Sequence, residues 1–179
     1  MEIQPHECNR GYFARTWCTR EFADHGLPAQ FVQASVSHNI RRGTLRGMHL
    51  QLPPSEEGKL VRCTRGCIYD VIVDLRPGSP TYLRRFGVEL ASREHKALYI
   101  PPAMLHGFQT LEDDSDVCYQ MTDFFAPELS FGARWDDPAF AIDWPIESGL
   151  IMNERDATYP DFDRADYERR AVPAAAAEA

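Results

Sequence analysis

Five side chains that can carry positive charge lie on alternating, strand-like sequence in this chain. Arg46 and His49 are three residues apart, Lys59 and Arg62 follow soon after, and His106 lies further along. Cations are almost never fully buried in a sheet without partners, so these residues do not build an ordinary core. The pattern favours an anionic ligand held inside a barrel, with acid–base chemistry carried out on it.

Side chains alternate between the two faces of a strand, and this alternation predicts which of these residues share a face. His49 and Gln51 are expected on the same face as Leu45 and Gly47, and Lys59 is expected to return on a neighbouring strand. That arrangement brings a base and a cation onto one face. Each residue alone fits an ordinary structural role, so the interpretation depends on their combination.

Length and composition limit the fold and the class of protein. The chain has 179 residues, of which 44% are hydrophobic, and this predicts one domain with a substantial core. The formal net charge of -8 argues against a nucleic-acid-binding surface, and no apolar run reaches the roughly 20 residues that span a membrane. The five cysteines form no CxxC pair and the first residues do not resemble a signal peptide, so we expect a reduced, cytoplasmic protein.

Short apolar segments separated by turn residues predict an all-β fold. The predicted strands are 31–37, 59–63, 68–74, 86–90, 97–100 and 117–122, a pattern typical of a sandwich or a jelly-roll barrel. A few short helices are expected, one over 18–25 with Thr19 as its cap and Gly26 at its end, and a second near 163–170. We place the domain at residues 1–160 and predict partial disorder in the tail, 161–179.

Several sequence blocks are specific to one known family and follow its order. They are Gly43-Thr44-Leu45-Arg46-Gly47-Met48-His49-Leu50-Gln51, Gly58-Lys59-Leu60-Val61-Arg62, Asp70-Val71-x-Val73-Asp74-Leu75-Arg76-x-x-Ser79-Pro80-Thr81-Tyr82, Ile100-Pro101 with His106-Gly107-Phe108, and Trp135-Asp136-Asp137-Pro138. Through these blocks the chain resembles the dTDP-4-dehydrorhamnose 3,5-epimerase family, from about residue 10 to residue 160. The resemblance implies a jelly-roll (cupin) barrel, a homodimer, and a nucleotide-diphosphate-linked 4-keto-6-deoxy sugar as substrate, with no metal and no other cofactor.

The resemblance also implies catalytic roles. His49 matches the base that removes a proton from carbon 3 or carbon 5 of the sugar, both of which lie next to the keto group. Imidazole suits this task because it takes up and gives back a proton near neutral pH. Asp156 matches the carboxylate that orients this imidazole, and Tyr119 matches the acid on the opposite face. Lys59 is implied to stabilise the enolate oxygen.

Two arginines are implied to bind the diphosphate. Arg46 and Arg10 match family positions that contact it, and a guanidinium suits this role because its planar fork binds phosphate oxygens at two points. In the family the N-terminal strand crosses to the partner subunit. The resemblance therefore implies that Arg10 and Phe13 serve the neighbour's site.

The remaining implied contacts concern the base and the sugar. Gln33 matches a residue that contacts the base, and Phe124 matches an aromatic residue that stacks on it. One member of the pair Phe124-Phe125 is expected to fill the core. Asp70 and His106 match positions that contact the sugar or support the residues that do.

Two positions depart from the family pattern. Arg15 stands where the family has an acid, and Ser35 stands where the family has an amide two residues after Gln33. Both are implied to face the nucleotide, so the base stays unassigned. We predict that thymidine diphosphate binds less tightly than at least one of cytidine, uridine or guanosine diphosphate, because a base pocket that loses polar partners loses affinity.

Two other classes of protein are alternatives to the epimerase. A metal-dependent cupin enzyme gathers three imidazoles and a carboxylate, with an His-x-His pair on a strand, whereas this chain has His49-x-Gln51. A non-catalytic barrel that binds sugar nucleotides is expected to lack the base, the acid or the lysine, and none is missing. The epimerase is therefore favoured.

Overall fold

The computed structural model describes residues 1–171, which contain eleven strands and three α-helices. The strands are β1 (Pro5–Cys8), β2 (Gly11–Ala14), β3 (Gln33–Asn39), β4 (Leu45–Gln51), β5 (Lys59–Arg65), β6 (Cys67–Asp74), β7 (Arg85–Ala91), β8 (Leu98–Ile100), β9 (Met104–Thr110), β10 (Ser115–Met121) and β11 (Ser130–Gly132). The helices are α1 (Thr19–Asp24), α2 (Glu154–Ala157) and α3 (Arg164–Ala171), and single 3₁₀ turns form at Ser92–Glu94 and Pro127–Leu129.

Two antiparallel sheets pack face to face and form the barrel. One has the strand order β3-β10-β5-β8 and the other the order β11-β4-β9-β6-β7. Apolar side chains from both sheets meet between them, with Val61 and Val117 from the first and Ile72 and Phe108 from the second. Within residues 1–171, β1 and β2 pair only with each other, as a separate hairpin. The prediction of an all-β barrel is confirmed.

The six predicted strands all occur, and their ends differ from the prediction by at most two residues. The segments that contain His49 and His106 form two further strands, β4 and β9, which pair with each other in the larger sheet. Glycine and proline lie in or beside both segments, and these residues weaken the local signal for a strand. The weak signal therefore concerns the two strands that carry His49 and His106, whereas Lys59 and Tyr119 lie on predicted strands.

The C-terminal segment covers the outer face of the larger sheet. Met48 and Leu50 of β4 share a core with Phe140, Trp144 and Tyr167, and Tyr167 of α3 is fully buried. The predicted second helix is confirmed as α3. The boundary expected at residue 160 cuts off this helix, which packs on the barrel. Residues 172–179, where disorder was also predicted, lie outside the described residues.

Helix α1 packs beside the smaller sheet. Its Phe22 is buried with Leu60 of β5. The residue at its N-cap is Cys18, and no side chain caps the first turn, so the expected cap at Thr19 is wrong because Thr19 is already the first helical residue. Gly26 follows the helix with a φ of +67°, a left-handed conformation that favours glycine, as the sequence predicted.

A buried aspartate organises the turn between β6 and β7. Asp74 is 2% exposed and accepts hydrogen bonds from the Arg76 guanidinium at 2.7 and 2.9 Å, the Ser79 hydroxyl at 2.7 Å and the Thr81 hydroxyl at 2.6 Å. Burial raises the pKa of this carboxyl, but the donors outweigh the burial and hold the pKa well below its ordinary value. This part of the family-specific sequence therefore stabilises the turn.

We predict that Asp74→Asn lowers the free energy of unfolding by about 3 kcal/mol at pH 7, because a charged acceptor of several hydrogen bonds is replaced by a neutral group. The contribution of Asp74 is complete above the ordinary carboxyl pKa of about 4. It begins to decline as the pH falls below that value and is fully lost once the pH has fallen through the lower pKa of the folded state, so the difference between the two proteins should already be smaller at about pH 3.

Urea unfolding at pH 7 and at about pH 3 measures both effects of Asp74→Asn. The matched control is Asp143→Asn, which breaks an exposed ion pair with Arg85 and is expected to cost less than about 1 kcal/mol. Equal losses in the two variants, or a difference that acid leaves unchanged, would contradict the assigned role of Asp74.

Candidate active site

A cavity of about 510 Å³ lies between the two sheets and is lined by polar and aromatic side chains from both. The smaller sheet contributes Ser35, Ser37, Lys59 and Tyr119, the larger sheet contributes Arg46, His49, His106 and Phe108, and the segment of α2 adds Asn153 and Asp156. One cavity therefore contains the two residues implied to carry protons, His49 and Tyr119. It also contains Lys59, implied to stabilise the oxyanion, and Asp156, implied to orient the imidazole. These side chains meet inside the barrel, and their anion-binding and acid–base roles stay a prediction.

His49 and Asp156 form a hydrogen-bonded pair in the cavity wall. The Nε2 atom of His49 lies 2.8 Å from Oδ1 of Asp156, and the side chains are 37% and 2% exposed. Burial raises the pKa of the Asp156 carboxyl, but the hydrogen bonds from His49 and from the Gly47 backbone help to outweigh the burial, so this pKa lies below its ordinary value. An ionised Asp156 accepts the proton on Nε2 and leaves Nδ1 of His49 as the nitrogen that can act as a base.

Two chain segments hold the Asp156 carboxylate. The backbone N–H of Asp156 donates to the side chain of Asn153, the N-cap of α2, at 2.7 Å. The second carboxylate oxygen accepts the backbone N–H of Gly47 at 3.2 Å. The carboxylate is thereby fixed to β4, the strand that carries its histidine partner.

A break in the pairing of β4 with β9 brings Arg46 and His49 to the same cavity. Uninterrupted alternation would put these two side chains on opposite faces, but the register shifts between them. Gly47, within the shift, has a φ of +138°, and a Cβ atom there would lie 2.5 Å from the Cα atom of Gly107. The expectation that Leu45 shares a face with His49 is wrong, because Leu45 packs in the outer core.

Lys59 reaches the cavity from the sheet opposite His49. It lies on β5 and pairs with Met121 of β10 and Ile100 of β8, so its expected position on a strand beside β4 is wrong. Lys59 shares the cavity with His49 because their two sheets face each other, not because their strands are neighbours in one sheet. Its ammonium pairs with the carboxylate of Glu57 at 3.2 Å. Glu57 was missed because an acid in a polar loop gives no sequence signal for such a contact.

Tyr119 lines the cavity from β10 of the smaller sheet. Burial raises the pKa of its phenol, the nearby Asp70 carboxylate raises the pKa further, and the charge of Arg46 only partly offsets them. The hydroxyl is therefore protonated at neutral pH, as a proton donor must be. The ring of His106 packs edge-on against the tyrosine ring, with a centroid distance of 6.3 Å.

His106 and Asp70 form a second, more deeply buried pair. Nε2 of His106 lies 2.6 Å from Oδ1 of Asp70, and the two side chains are 6% and 0% exposed. The pair joins β9 to β6, and His106 is directly opposite His49 across the β4–β9 ladder. The other oxygen of Asp70 is buried with no hydrogen-bond partner in the described part of the chain. Asp70 thus supports a second imidazole of the cavity.

Arg46 presents its guanidinium to the cavity and, within residues 1–171, donates one side-chain hydrogen bond. Its Nε donates to the side-chain oxygen of Asn39 at 2.8 Å. No carboxylate of residues 1–171 forms an ion pair with it, so its terminal N–H groups are available to an anion. Asn39 was missed, because an asparagine at the end of a strand carries no functional signal of its own.

The side chains of the described region do not form a metal site. No group of three or more His, Cys, Asp or Glu residues within 1–171 is arranged to hold a metal ion. Gln51 replaces the second imidazole of an His-x-His pair, and its amide donates to the Phe124 carbonyl and accepts the Ala126 N–H. Among the same residues, no helix combines the length and the apolar character needed to cross a membrane.

Comparison with known proteins identifies the family. The family model described as dTDP-4-dehydrorhamnose 3,5-epimerase matches residues 1–164. The chain belongs to this family. Two relatives carry the same name: the protein of Sinorhizobium fredii is 41% identical over 157 residues, which cover 86% of this chain and 78% of the relative. That of Methanothermobacter thermautotrophicus is 41% identical over 161 residues, which cover 89% of this chain and 86% of the relative.

Solved structures of the family share the fold of this epimerase. The enzyme of Elizabethkingia anophelis matches with a TM-score of 0.87 and 32% identity, covering 96% of this chain and 91% of that one. The enzyme of Bacillus anthracis, with TDP and PPi bound, matches with a TM-score of 0.87 and 34% identity, covering 90% and 91%. The predicted jelly-roll (cupin) fold and the predicted class of enzyme, a nucleotide-sugar 3,5-epimerase, are confirmed.

Arg10 and Phe13 lie away from the cavity of this epimerase subunit. Arg10 is exposed between β1 and β2, and Phe13 on β2 is 72% exposed. Neither residue lines the cavity. Within one chain, these two residues therefore do not reach the cavity.

The implied base contacts also lie outside the cavity. Phe124 and Phe125 are both exposed, so the expectation that one of them fills the core is wrong, because both stand on the loop after β10. Gln33 accepts the backbone N–H of Phe125 at 2.7 Å and thereby holds this loop. Of the two departures from the family pattern, Ser35 lines the cavity, whereas Arg15 is exposed and pairs with Glu21.

Proposed function

We propose that this epimerase inverts carbon 3, carbon 5 or both in a nucleotide-diphosphate-linked 4-keto-6-deoxy sugar, with His49 as base and Tyr119 as acid. The observation that carries the proposal is the position of these two side chains on facing sheets of one cavity. A carbon centre inverts when a proton leaves one face and another arrives at the opposite face. Two facing sheets, each with one proton carrier, meet that requirement.

The proposed reaction balances without a cofactor. His49 takes the proton from the carbon next to the keto group, and the electron pair moves onto the keto oxygen to form an enolate. The ammonium of Lys59 stabilises this negative charge where it develops. Tyr119 then gives its proton to the opposite face of the carbon, and exchange with water restores both side chains.

Arg46 supplies the proposed contact to the diphosphate. Its terminal N–H groups face the cavity without a carboxylate partner in the described residues, and a guanidinium binds two phosphate oxygens at once. The names of the relatives and the TDP in the Bacillus anthracis structure favour thymidine as the base. The contrary expectation rests on Ser35, which lines the cavity, and on Arg15, which stands outside it as Arg10 does.

We propose a homodimer in which the β1–β2 hairpin reaches the partner subunit. The hairpin pairs with neither barrel sheet in the described residues, and it exposes Tyr12 by 56% and Phe13 by 72%. Docking on a second copy would cover these rings and would carry Arg10 to the neighbour's cavity. Gln33 and Phe124, which lie outside that cavity, are proposed to contact the base.

A mixing experiment tests the exchange. Arg10→Ala and His49→Asn are each expected to be impaired, but a mixed dimer would contain one site with His49 from one subunit and Arg10 from the other. Co-refolding the two variants should restore activity above the sum of the separate proteins. Activity equal to that sum would show that Arg10 does not serve the neighbouring site.

Full activity in a chelator is the expected result for the purified protein, since the proposed chemistry uses only side chains. The same sample should sediment as a dimer. Activity that disappears with chelator and returns with added metal would contradict the proposed mechanism. A fully active monomer would contradict the proposed assembly.

We also propose a cytoplasmic location. All five cysteines are free in the structure, as expected for a protein of a reducing compartment. Localisation of a tagged chain in its own host tests this proposal.

A further inference from the structure

The buried amide of Asn39 contacts the arginine that faces the cavity. We propose that Asn39 is a positioning residue that fixes the guanidinium of Arg46 for the anionic group of the substrate. The inference rests on the proposed function, in which Arg46 binds the diphosphate. It adds a residue that does not touch the substrate and that no sequence motif identified.

The orientation of the Asn39 side chain is determined by its hydrogen bonds. The residue is 2% exposed, and its amide nitrogen donates to the carbonyls of Ser37 and Ser115, both at 3.1 Å. Both amide protons are therefore used, and exchanging the nitrogen and the oxygen would set a carbonyl against two carbonyls. The oxygen must point the other way, where it accepts Nε of Arg46 at 2.8 Å.

This hydrogen bond joins the two sheets. Asn39 ends β3 and lies opposite Ser115 of β10 in the smaller sheet, whereas Arg46 lies on β4 of the larger sheet. Arginine has five N–H donors, and the one on Nε is taken by Asn39. The four terminal N–H donors form the fork that binds phosphate oxygens at two points. Holding Nε therefore directs this fork at the ligand.

The neutrality of the partner matters as much as its position. Arg76, Arg85 and Arg134 each pair with an aspartate, which offsets their charge. Arg46 is held by an amide instead, so its full positive charge is kept for the ligand. An aspartate at position 39 would also accept the Nε proton, but it would place a negative charge beside the fork and would face two carbonyls without a donor.

Calorimetric titration with inorganic pyrophosphate and with thymidine diphosphate tests the inference, because pyrophosphate reports on the anion site without the base. Asn39→Ala should weaken the binding of both ligands roughly tenfold, which corresponds to one lost hydrogen bond to a charged group. Arg46→Lys should also weaken binding, since lysine has no Nε donor and no fork. In the Arg46→Lys background, Asn39→Ala should add less than about a twofold loss.

The matched control is Ser115→Ala, which removes a buried hydroxyl at the same end of the same strand pair and leaves the Arg46 contact in place. Its affinity for pyrophosphate should equal that of the wild type. In turnover, Asn39→Ala should lower kcat/KM mainly by raising KM. If Asn39→Ala does not fold, Asn39→Asp takes its place, with an expected loss at least as large.

Three results would overturn the inference. An equal loss from Asn39→Ala in the wild-type and Arg46→Lys backgrounds would mean that Asn39 acts only on the fold. Wild-type affinity in Asn39→Asp would mean that a neutral partner is not needed. Wild-type affinity in Arg46→Lys would overturn the proposed role of Arg46 itself, a failure distinct from the first two.

Discussion

Replacing His49 by Asn should reduce the rate of epimerisation by roughly 10³-fold, the size expected when a general base is lost. Asparagine keeps a polar side chain beside Asp156 but cannot take up the proton from carbon. Exchange of the substrate's ring protons with deuterated water should therefore stop at both carbons. Proton NMR of the sugar in deuterated water measures the exchange, and calorimetry with thymidine diphosphate checks that the ligand still binds.

The matched control for this variant is His25→Asn. His25 is exposed at the end of α1, where Nδ1 of its imidazole lies 2.7 Å from the backbone carbonyl oxygen of Glu21. Its replacement should leave the rate unchanged. Exchange in His49→Asn at more than about a hundredth of the wild-type rate would contradict the assignment of His49 as the base.

Tyr119→Phe should separate proton removal from inversion. The variant removes one hydroxyl from the face opposite His49, so the base can still form the enolate while the proton from the other face is missing. Net epimerisation should slow by about 10²-fold or more at the affected carbon, while deuterium still enters the substrate without inversion. NMR of the recovered sugar distinguishes exchange with retention from exchange with inversion.

Tyr167→Phe provides the control, because it removes a buried hydroxyl that has no hydrogen-bond partner in residues 1–171 and lies in the outer core. It should leave both exchange and inversion intact. If Tyr119→Phe lost exchange and inversion to the same extent, Tyr119 would belong to the base machinery or to substrate placement.

Local sequence patterns predicted the strands because the tendency to form a strand depends mainly on residues that are adjacent in the sequence. The segments 68–74 and 86–90 are rich in β-branched and apolar residues, and they form β6 and β7 with ends displaced by at most one residue. The relation of strands to one another depends on distant parts of the chain. Lys59 was therefore predicted to be on a strand but was assigned to the wrong sheet.

The faces of β4 illustrate a second limit. Side chains alternate reliably between the two faces of a strand only where its pairing with the next strand is regular. In β4 the register shift between Arg46 and His49 reverses the faces that simple alternation predicts. The two glycines at the shift, Gly47 and Gly107, approach each other closely, and that contact joins two strands far apart in sequence. Glycine in a strand signals a bulge or a close approach, which is the one sequence feature that could have predicted the reversal.

The polar partners of the site were predictable only in part. The carboxylate of Asp156 is 107 residues from His49 along the chain, and only the resemblance to the family related them. Glu57 and Asn39 contact Lys59 and Arg46 but match no motif, because their roles follow from the packing of two sheets. The residues proposed to touch substrate were therefore easier to identify from the sequence than the residues that hold them.

The most direct test of the central claim uses the unmodified enzyme in deuterated water with a chelator present. The proposed mechanism predicts that dTDP-4-keto-6-deoxyglucose is converted and that each inverted carbon of the product carries one deuterium, since the departing proton and the arriving one come from different carriers. NMR and mass spectrometry of the product count the deuterium. An inverted product without deuterium at the inverted carbon, or no conversion until metal is added, would contradict the account.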